Sequence, residues 1–145
     1  MKARQLRENL IRSKMTEIME SIDLVRENLP DSFEDFSRLG LVKDGIYKRT
    51  EFAIENVFDI CAIINADLLL EMPENDYRIV ENLAKRDILT QEMAEKIRKM
   101  RGFRNNMVHR YGRIEDEIAY SLLRNSLDDF GQFIDLIERF LETRG

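Results

Sequence analysis

Apolar side chains recur three or four residues apart along nearly the whole chain, and only two prolines interrupt this spacing in 145 residues. Such a period places the apolar residues on one face of an α-helix, whereas a half-buried strand needs strict alternation. The pattern therefore predicts an all-α fold with long helices. Because short turns separate the helices, we expect an antiparallel bundle of four or five of them, folded as a single domain over residues 1–145.

Turn and cap residues divide the chain into predicted helices. The first is expected from about Arg4 to Leu29, and Pro30 ends it because proline cannot continue a helix. Ser32 is positioned to cap a short helix that closes at Gly40. We expect the phenylalanines of this short helix to join the connection to the core.

The second long helix is predicted over Asp44–Glu71, before Pro73. Its apolar positions cover more than one narrow stripe, so we expect burial on two sides, by the core and by a second subunit. The remaining helices are predicted over Asp76–Lys85, from a cap at Thr90 to Met107, and over Ile114–Glu142.

Composition excludes several classes of protein. Cys61 is the only cysteine, so an intrachain disulfide and a cysteine–histidine zinc site are excluded, and its apolar neighbours predict an inert buried thiol. The first residues lack the apolar segment of a signal peptide, and Asn65 and Asp67 interrupt the longest apolar run. These features predict a cytoplasmic protein that does not enter a membrane.

The net charge of −5 argues against indiscriminate binding to nucleic acid, but it hides a local reversal. Residues 90–113 contain seven lysines and arginines against two glutamates, a balance of +5, which leaves −10 on the rest of the chain. Such a charge run is commonly the solvated face of a helix. Here it ends in side chains that can handle phosphate, which favours a phosphate-facing patch.

Three of those side chains lie within the segment 104–111. Arg104 offers a planar guanidinium that binds phosphate oxygens, and Tyr111 offers a hydroxyl that can be modified. His109 is the only histidine and can transfer protons near neutral pH. The segment is therefore the candidate site of this chain.

The spacing of these residues predicts a helix end at the site. On a straight helix Arg104 and Tyr111 share a face, whereas His109 points about 140° away from Arg104. Gly112 is typical of the residue just past a helix end, so the helix is expected to stop near His109 or Arg110 and the loop can turn towards Arg104. In the last helical turn, the helix dipole would favour the protonated form of His109.

Each of these residues also has an ordinary structural interpretation. A lone histidine at a helix end often caps or hydrogen-bonds, Tyr111 can pack its ring under the last helix, and Asn105 can cap a turn. An arginine and a histidine five residues apart also occur by chance in many chains. The residues alone do not separate these alternatives.

The motif Arg104-Asn105-x3-His109-x-Tyr111, late in an acidic helical chain and followed by a long amphipathic helix, resembles the HEPN superfamily. It is most similar to the HepT toxins, which are encoded beside minimal nucleotidyltransferase (MNT) antitoxins. The resemblance covers nearly the whole chain in helix order, and the motif is its specific part. It implies the toxin of a type VII-like MNT/HepT pair: a metal-independent endoribonuclease without a cofactor, acting as a homodimer with Arg104 and His109 of both subunits in one cleft.

In the reaction that this resemblance implies, an RNA 2′-hydroxyl attacks its adjacent phosphorus. Arg104 then stabilises the developing charge and His109 moves a proton, so separate acid and base roles require the histidine of the second subunit or another group. Asn105 would orient a phosphate oxygen or the imidazole. The cations expected to guide the RNA strand are Lys99, Arg101 and Arg110.

The resemblance further implies that the partner nucleotidyltransferase transfers AMP from ATP to Tyr111. A phosphodiester at Tyr111 would place negative charge and bulk beside Arg104, where an RNA phosphate should bind. RNA and the nucleotidyltransferase are therefore expected partners, whereas DNA and membranes are not.

Two other interpretations remain open at the level of sequence. The chain can be a non-catalytic helical module that binds a nucleotide or the nucleotidyltransferase through the same cleft, or a structural dimer in which the motif is incidental. The first predicts RNA binding without cleavage. The second predicts that His109 is buried and faces away from Arg104.

Overall fold

A computed structural model describes residues 5–109 and 114–144, apart from the side chains of residues 106–109 and 114–115. Over these ranges the chain forms seven α-helices and no β-strand, which confirms the predicted all-α fold. The helices are α1 (Glu8–Asn28), α2 (Phe33–Ser37), α3 (Leu41–Asp67), α4 (Asp76–Lys85), α5 (Gln91–His109), α6 (Ile114–Ser126) and α7 (Asp128–Arg144).

The centre of the bundle is the antiparallel pair α1 and α3. Arg7, directly before α1, donates from Nη2 to Oδ1 of the fully buried Asp67 at the end of α3, at 2.9 Å. Further along the pair, Lys14 of α1 reaches Asp59 of α3, with Nζ and Oδ2 3.2 Å apart. Because the start of one helix meets the end of the other, their side chains interdigitate along most of their length.

The wide apolar surface of α3 is covered mainly by its own chain. α1 packs on one side of α3, and α4 and α5 pack on others, burying residues such as Ile54, Ile60 and Ile64. Cys61 is also fully buried, as predicted. The burial of α3 therefore does not require a second subunit, although Phe52 stays exposed.

α4 is attached to α3 through buried amides. Asn82 donates from Nδ2 to Oδ1 of Asn65 at 3.0 Å and to the carbonyl oxygen of Glu71 at 2.9 Å. Asn75 caps the other end of α4 by accepting from the backbone N–H of Arg78 at 2.9 Å. These contacts fix the direction in which the first turn of α4 faces.

The aromatic residues of α2 pin the connection between α1 and α3, as predicted. Phe36 is completely buried, with its ring 5.8 Å from that of Tyr47 and 5.1 Å from that of Tyr120. Ser32 caps α2 by accepting from the backbone N–H of Asp35 at 3.1 Å. This cluster joins α2 to α3 and α6.

Several helix ends differ from the prediction for local backbone reasons. α1 begins at Glu8, and α2 ends at Ser37, before Gly40. Gly40 has a φ of 59° and instead precedes α3, a conformation that is unstrained for glycine. α3 ends at Asp67, short of the predicted Glu71, because the chain turns at Leu69 with a φ of 55°.

The predicted helix over Ile114–Glu142 was wrong in one respect, because it is two helices, α6 and α7, that meet at Leu127. Leu127 is buried, so the apolar spacing continues across the break. The backbone N–H of Phe130 donates to the carbonyl of Leu127 at 3.2 Å, which starts the new helix. Periodicity reports which side chains are buried and does not require a continuous backbone.

Within the described ranges, none of the helices has a stretch apolar and long enough to cross a bilayer.

Candidate active site

Arg104 lies where α5 passes α3 and α4. Ile97, Met100 and Phe103 face the core, which fixes the rotation of α5 and brings Arg104 to the edge of the packed interface. Its side chain is 31% exposed, although the guanidinium Nε is buried. A permanent cation in this half-buried position suits the binding of an anion.

Two carboxylates from other helices flank the guanidinium. Oε1 of Glu55, in the middle of α3, is 3.7 Å from Nε of Arg104. Oδ2 of Asp76, in the first turn of α4, is 3.9 Å from Nη1. Both distances exceed that of a hydrogen bond, and the buried Nε donates no hydrogen bond to any residue that the structure describes.

The two carboxylates were not predicted as site residues. Each is one of 28 acidic residues and lies far from Arg104 along the chain, on a helix face that the sequence pattern describes only as polar. Packing of α3, α4 and α5 brings them together. In the described part of the site, the Arg104 guanidinium therefore lies between the carboxylates of Glu55 and Asp76.

The other predicted site residues fall into two groups. Asn105 is exposed next to Arg104, and Arg101 is half-buried one turn earlier on α5. Lys99 instead lines a cavity of about 40 Å³ between α3, α5, α6 and α7, which Asp129 of α7 also lines. Arg101 and Asn105 are therefore neighbours of Arg104 along α5, while Lys99 lies on the side of α5 that faces α6 and α7.

The rest of the predicted motif is only partly described. His109 is the last residue of α5. The structure describes its backbone but not its side chain. Arg110, Tyr111 and Gly112 also lie outside the described residues. The expected convergence of His109 and Tyr111 on Arg104 consequently remains a prediction.

A second cation on α5 lies over an aromatic ring of α4. The guanidinium carbon of Arg98 lies 4.3 Å from the ring centroid of Tyr77, the residue after Asp76 on α4. Cation–π contacts of this kind hold an arginine in a defined orientation. Neither Arg98 nor Arg101 forms an ion pair with any residue in the described ranges, so both remain available to an anionic ligand.

The start of α6, the helix that follows the motif along the chain, is anchored to α3. Asp116 accepts hydrogen bonds from Nζ of Lys43, at 2.9 Å, and from the hydroxyl of Tyr47. Burial raises the pKa of the Tyr47 phenol well above its usual value, and the hydrogen bond and negative charge of Asp116 raise it further. Tyr47 therefore stays protonated and can keep donating to Asp116.

Among the described residues, no set of three or more histidine, cysteine, aspartate or glutamate side chains is arranged to hold a metal ion.

Comparison with known proteins agrees with the resemblance seen in the motif. Residues 18–137 match the family model "Ribonuclease HepT-like". The mRNA nuclease HepT of Shewanella oneidensis is 27% identical over 130 residues, which cover 90% of this chain and 97% of the relative. A putative RNase of Archaeoglobus fulgidus is 35% identical over 98 residues, covering 68% of this chain and 74% of the relative.

The fold is shared with a solved structure of the tri-AMPylated Shewanella oneidensis HEPN toxin in complex with MNT antitoxin. That toxin chain is 27% identical, with a TM-score of 0.81, and the match covers 89% of this chain and 96% of the other. The family match spans most of the chain, and the all-helical architecture agrees with it along the same length. This chain belongs to the family of HepT-like ribonucleases.

Proposed function

We propose that this protein is the toxin of an MNT/HepT toxin–antitoxin pair and acts as a metal-independent endoribonuclease. The observation that carries the proposal is the partly exposed Arg104 side chain, which lies on the same helix as His109 and close to its end. The nuclease relatives and the toxin–antitoxin structure described above support it.

The reaction is an internal transesterification of RNA. The 2′-hydroxyl of a ribose attacks the adjacent phosphorus, the bond to the 5′-oxygen breaks, and a 2′,3′-cyclic phosphate and a 5′-hydroxyl end result. Arg104 stabilises the charge on the pentavalent phosphorus, and His109 donates a proton to the leaving 5′-oxygen. Asn105, exposed beside Arg104, orients a phosphate oxygen.

The RNA strand approaches along the side of α5 that carries Arg101 and Arg98. Neither cation forms an ion pair within the described ranges, and the Arg98 guanidinium lies over the Tyr77 ring, a pair of groups on which an unpaired base can stack. Arg110 extends this set by its position in the motif. Lys99 contributes only long-range attraction, because it lies on the α6 and α7 side of the helix.

Two copies of the chain complete the active site. Each copy supplies one His109, and the homodimer brings two Arg104 and two His109 side chains to one cleft. The partner nucleotidyltransferase silences the toxin when the Tyr111 hydroxyl attacks the α-phosphorus of ATP, forming a tyrosine–AMP phosphodiester and releasing pyrophosphate. The added phosphate then occupies the anion position at Arg104.

Cleavage assays with purified protein test the nuclease proposal. The wild type should cleave single-stranded RNA in the presence of a metal chelator, and Arg104→Ala and His109→Ala should each lower kcat by about 10²–10³-fold. Arg139→Ala is the matched control, because Arg139 is exposed on α7 and lines a different groove, with Leu68 and Phe140. RNA that is bound tightly but left intact would favour the non-catalytic binding module instead.

Intact-mass measurement tests the proposed modification. Incubation with the partner nucleotidyltransferase and ATP should add whole AMP units, and Tyr111→Phe should abolish the gain. Tyr77→Phe, which removes a hydroxyl from α4 and keeps the ring, should still be modified. An unchanged mass gain in Tyr111→Phe would place the modification elsewhere.

A further inference from the structure

The proposed reaction requires two proton transfers, and each subunit has only one histidine. The attacking 2′-hydroxyl must lose a proton while the leaving 5′-oxygen gains one. His109 is the only histidine of the chain and is assigned to the leaving group. A base for the 2′-hydroxyl must therefore come from the other subunit or from another side chain near Arg104.

Glu55 has the position that such a base needs. Its carboxylate is 3.7 Å from the guanidinium that would hold the scissile phosphate, and its side chain is 43% exposed. Among the described residues its ion-pair partner is Arg104 alone, and the contact is too long for a hydrogen bond. The carboxylate oxygens thus remain free to accept a proton from a hydroxyl beside the phosphate.

Asp76 is less suited to the same task, although it lies 3.9 Å from the same guanidinium. Its shorter side chain projects from the first turn of α4, where a charged carboxylate stabilises the helix end. Glu55 lies in the middle of α3, and its side chain is one methylene group longer than that of aspartate. The two residues consequently differ in side-chain length and in position, because Asp76 lies at the start of a helix and Glu55 in the middle of one.

We propose that Glu55 is the general base of the ribonuclease reaction, which rests on the function proposed above. Glu55 takes the proton of the 2′-hydroxyl as the bond from the 2′-oxygen to phosphorus forms. His109 gives its proton to the 5′-oxygen as the bond from that oxygen to phosphorus breaks. Glu55 then releases its proton to water and His109 regains one, which restores both groups.

Glu55→Gln separates this role from a purely structural one. Glutamine keeps an oxygen that can lie beside Nε of Arg104, but it cannot accept the proton. The variant should lose about 10²–10⁴-fold in kcat with little change in KM. Asp59→Asn, one turn further along α3 on an exposed side chain, is the matched control and should cleave like the wild type.

The pH profile and the leaving group identify which proton transfer is lost. A general base must be unprotonated to act and gives kcat/KM an acid limb, which Glu55→Gln should lack. An RNA analogue with sulfur at the bridging 5′ position has a leaving group that needs no proton. The His109→Ala variant should cleave this analogue efficiently, whereas the Glu55→Gln variant should still cleave it slowly.

Chemical rescue gives an independent check on the same position. Glu55→Ala should regain activity with increasing formate, because a small carboxylate can occupy the space and act as the base. Wild-type cleavage rates in Glu55→Gln, an unchanged acid limb, or rescue of that variant by the sulfur analogue would each overturn the assignment. A wild type that fails to cleave any RNA would instead overturn the ribonuclease proposal itself.

Discussion

At the scale of single residues, the polar contacts of Arg104 and the burial of Cys61 depend on different parts of the sequence. Arg104 was a candidate from its place in the motif, but its flanking carboxylates, Glu55 and Asp76, come from two other helices. Cys61 shows the opposite case, because its apolar neighbours in the chain already predicted burial. Local sequence therefore predicts burial better than it predicts polar contacts between distant segments.

Cys61 should be unreactive in the folded protein. Complete burial removes water from the thiol and raises its pKa, and the reactive thiolate is disfavoured. A thiol reagent should label the native chain only as fast as it unfolds, and should label the urea-unfolded chain at once. Rapid labelling under native conditions would show that the packing around α3 opens locally.

Ionisation of Tyr47 should lower the free energy of unfolding in alkaline solution. Its pKa is raised in the folded state, so the ionised form is favoured in the unfolded state and stability decreases as the pH rises above about 10. In Tyr47→Phe the free energy of unfolding should decrease less steeply with pH. The two slopes should differ by less than about 1.4 kcal/mol per pH unit, the limit for one proton, because the Tyr47 ring is partly solvated. Urea midpoints between pH 8 and about 11 measure the difference, and identical slopes would contradict it.

At the scale of helices, apolar spacing predicted most elements and capping residues refined where they begin. The caps expected at Ser32 and Thr90 are present, and Thr90 accepts from the backbone N–H of Met93 at 3.0 Å. The break at Leu127 was missed because the buried stripe continues through it. Helix ends depend on single hydrogen bonds and φ angles, whereas periodicity averages over many residues.

Removal of the cap at Thr90 should weaken α5. Thr90→Ala leaves the backbone N–H of Met93 without its side-chain acceptor, so the free energy of unfolding should fall by about 1 kcal/mol. Thr90→Ser keeps a hydroxyl at the same place and should retain most of the stability. Chemical denaturation of both variants provides the measurement, and equal losses would mean that the threonine methyl group stabilises the helix rather than its oxygen.

At the scale of the whole molecule, the crossing of α3, α4 and α5 assembles the described part of the site. The buried amides of Asn65 and Asn82 hold α4 against α3, and this contact positions Asp76 near Arg104. The family match agrees with the overall fold, and a homodimer remains the proposal for how two motifs meet. A site shared between copies should respond to protein concentration.

The specific nuclease activity should fall on dilution. Light scattering at high concentration should give twice the 17.2 kDa of one chain, and activity per chain should decrease once the dimer dissociates. Circular dichroism should stay unchanged over the same range, because α1, α3 and α7 form their core within one chain. Constant activity per chain in a demonstrably monomeric sample would exclude the shared cleft.

The sequence by itself determined the helical class, the single buried cysteine, the caps at Ser32 and Thr90, and the motif through which the family was identified. These features depend on spacing and on local hydrogen bonds, which neighbouring residues specify. The tertiary structure alone decided that Glu55 and Asp76 flank Arg104 and that Lys99 lies on another side of α5. Such contacts join helices that are distant along the chain, and only the packing of the whole core sets how those helices cross.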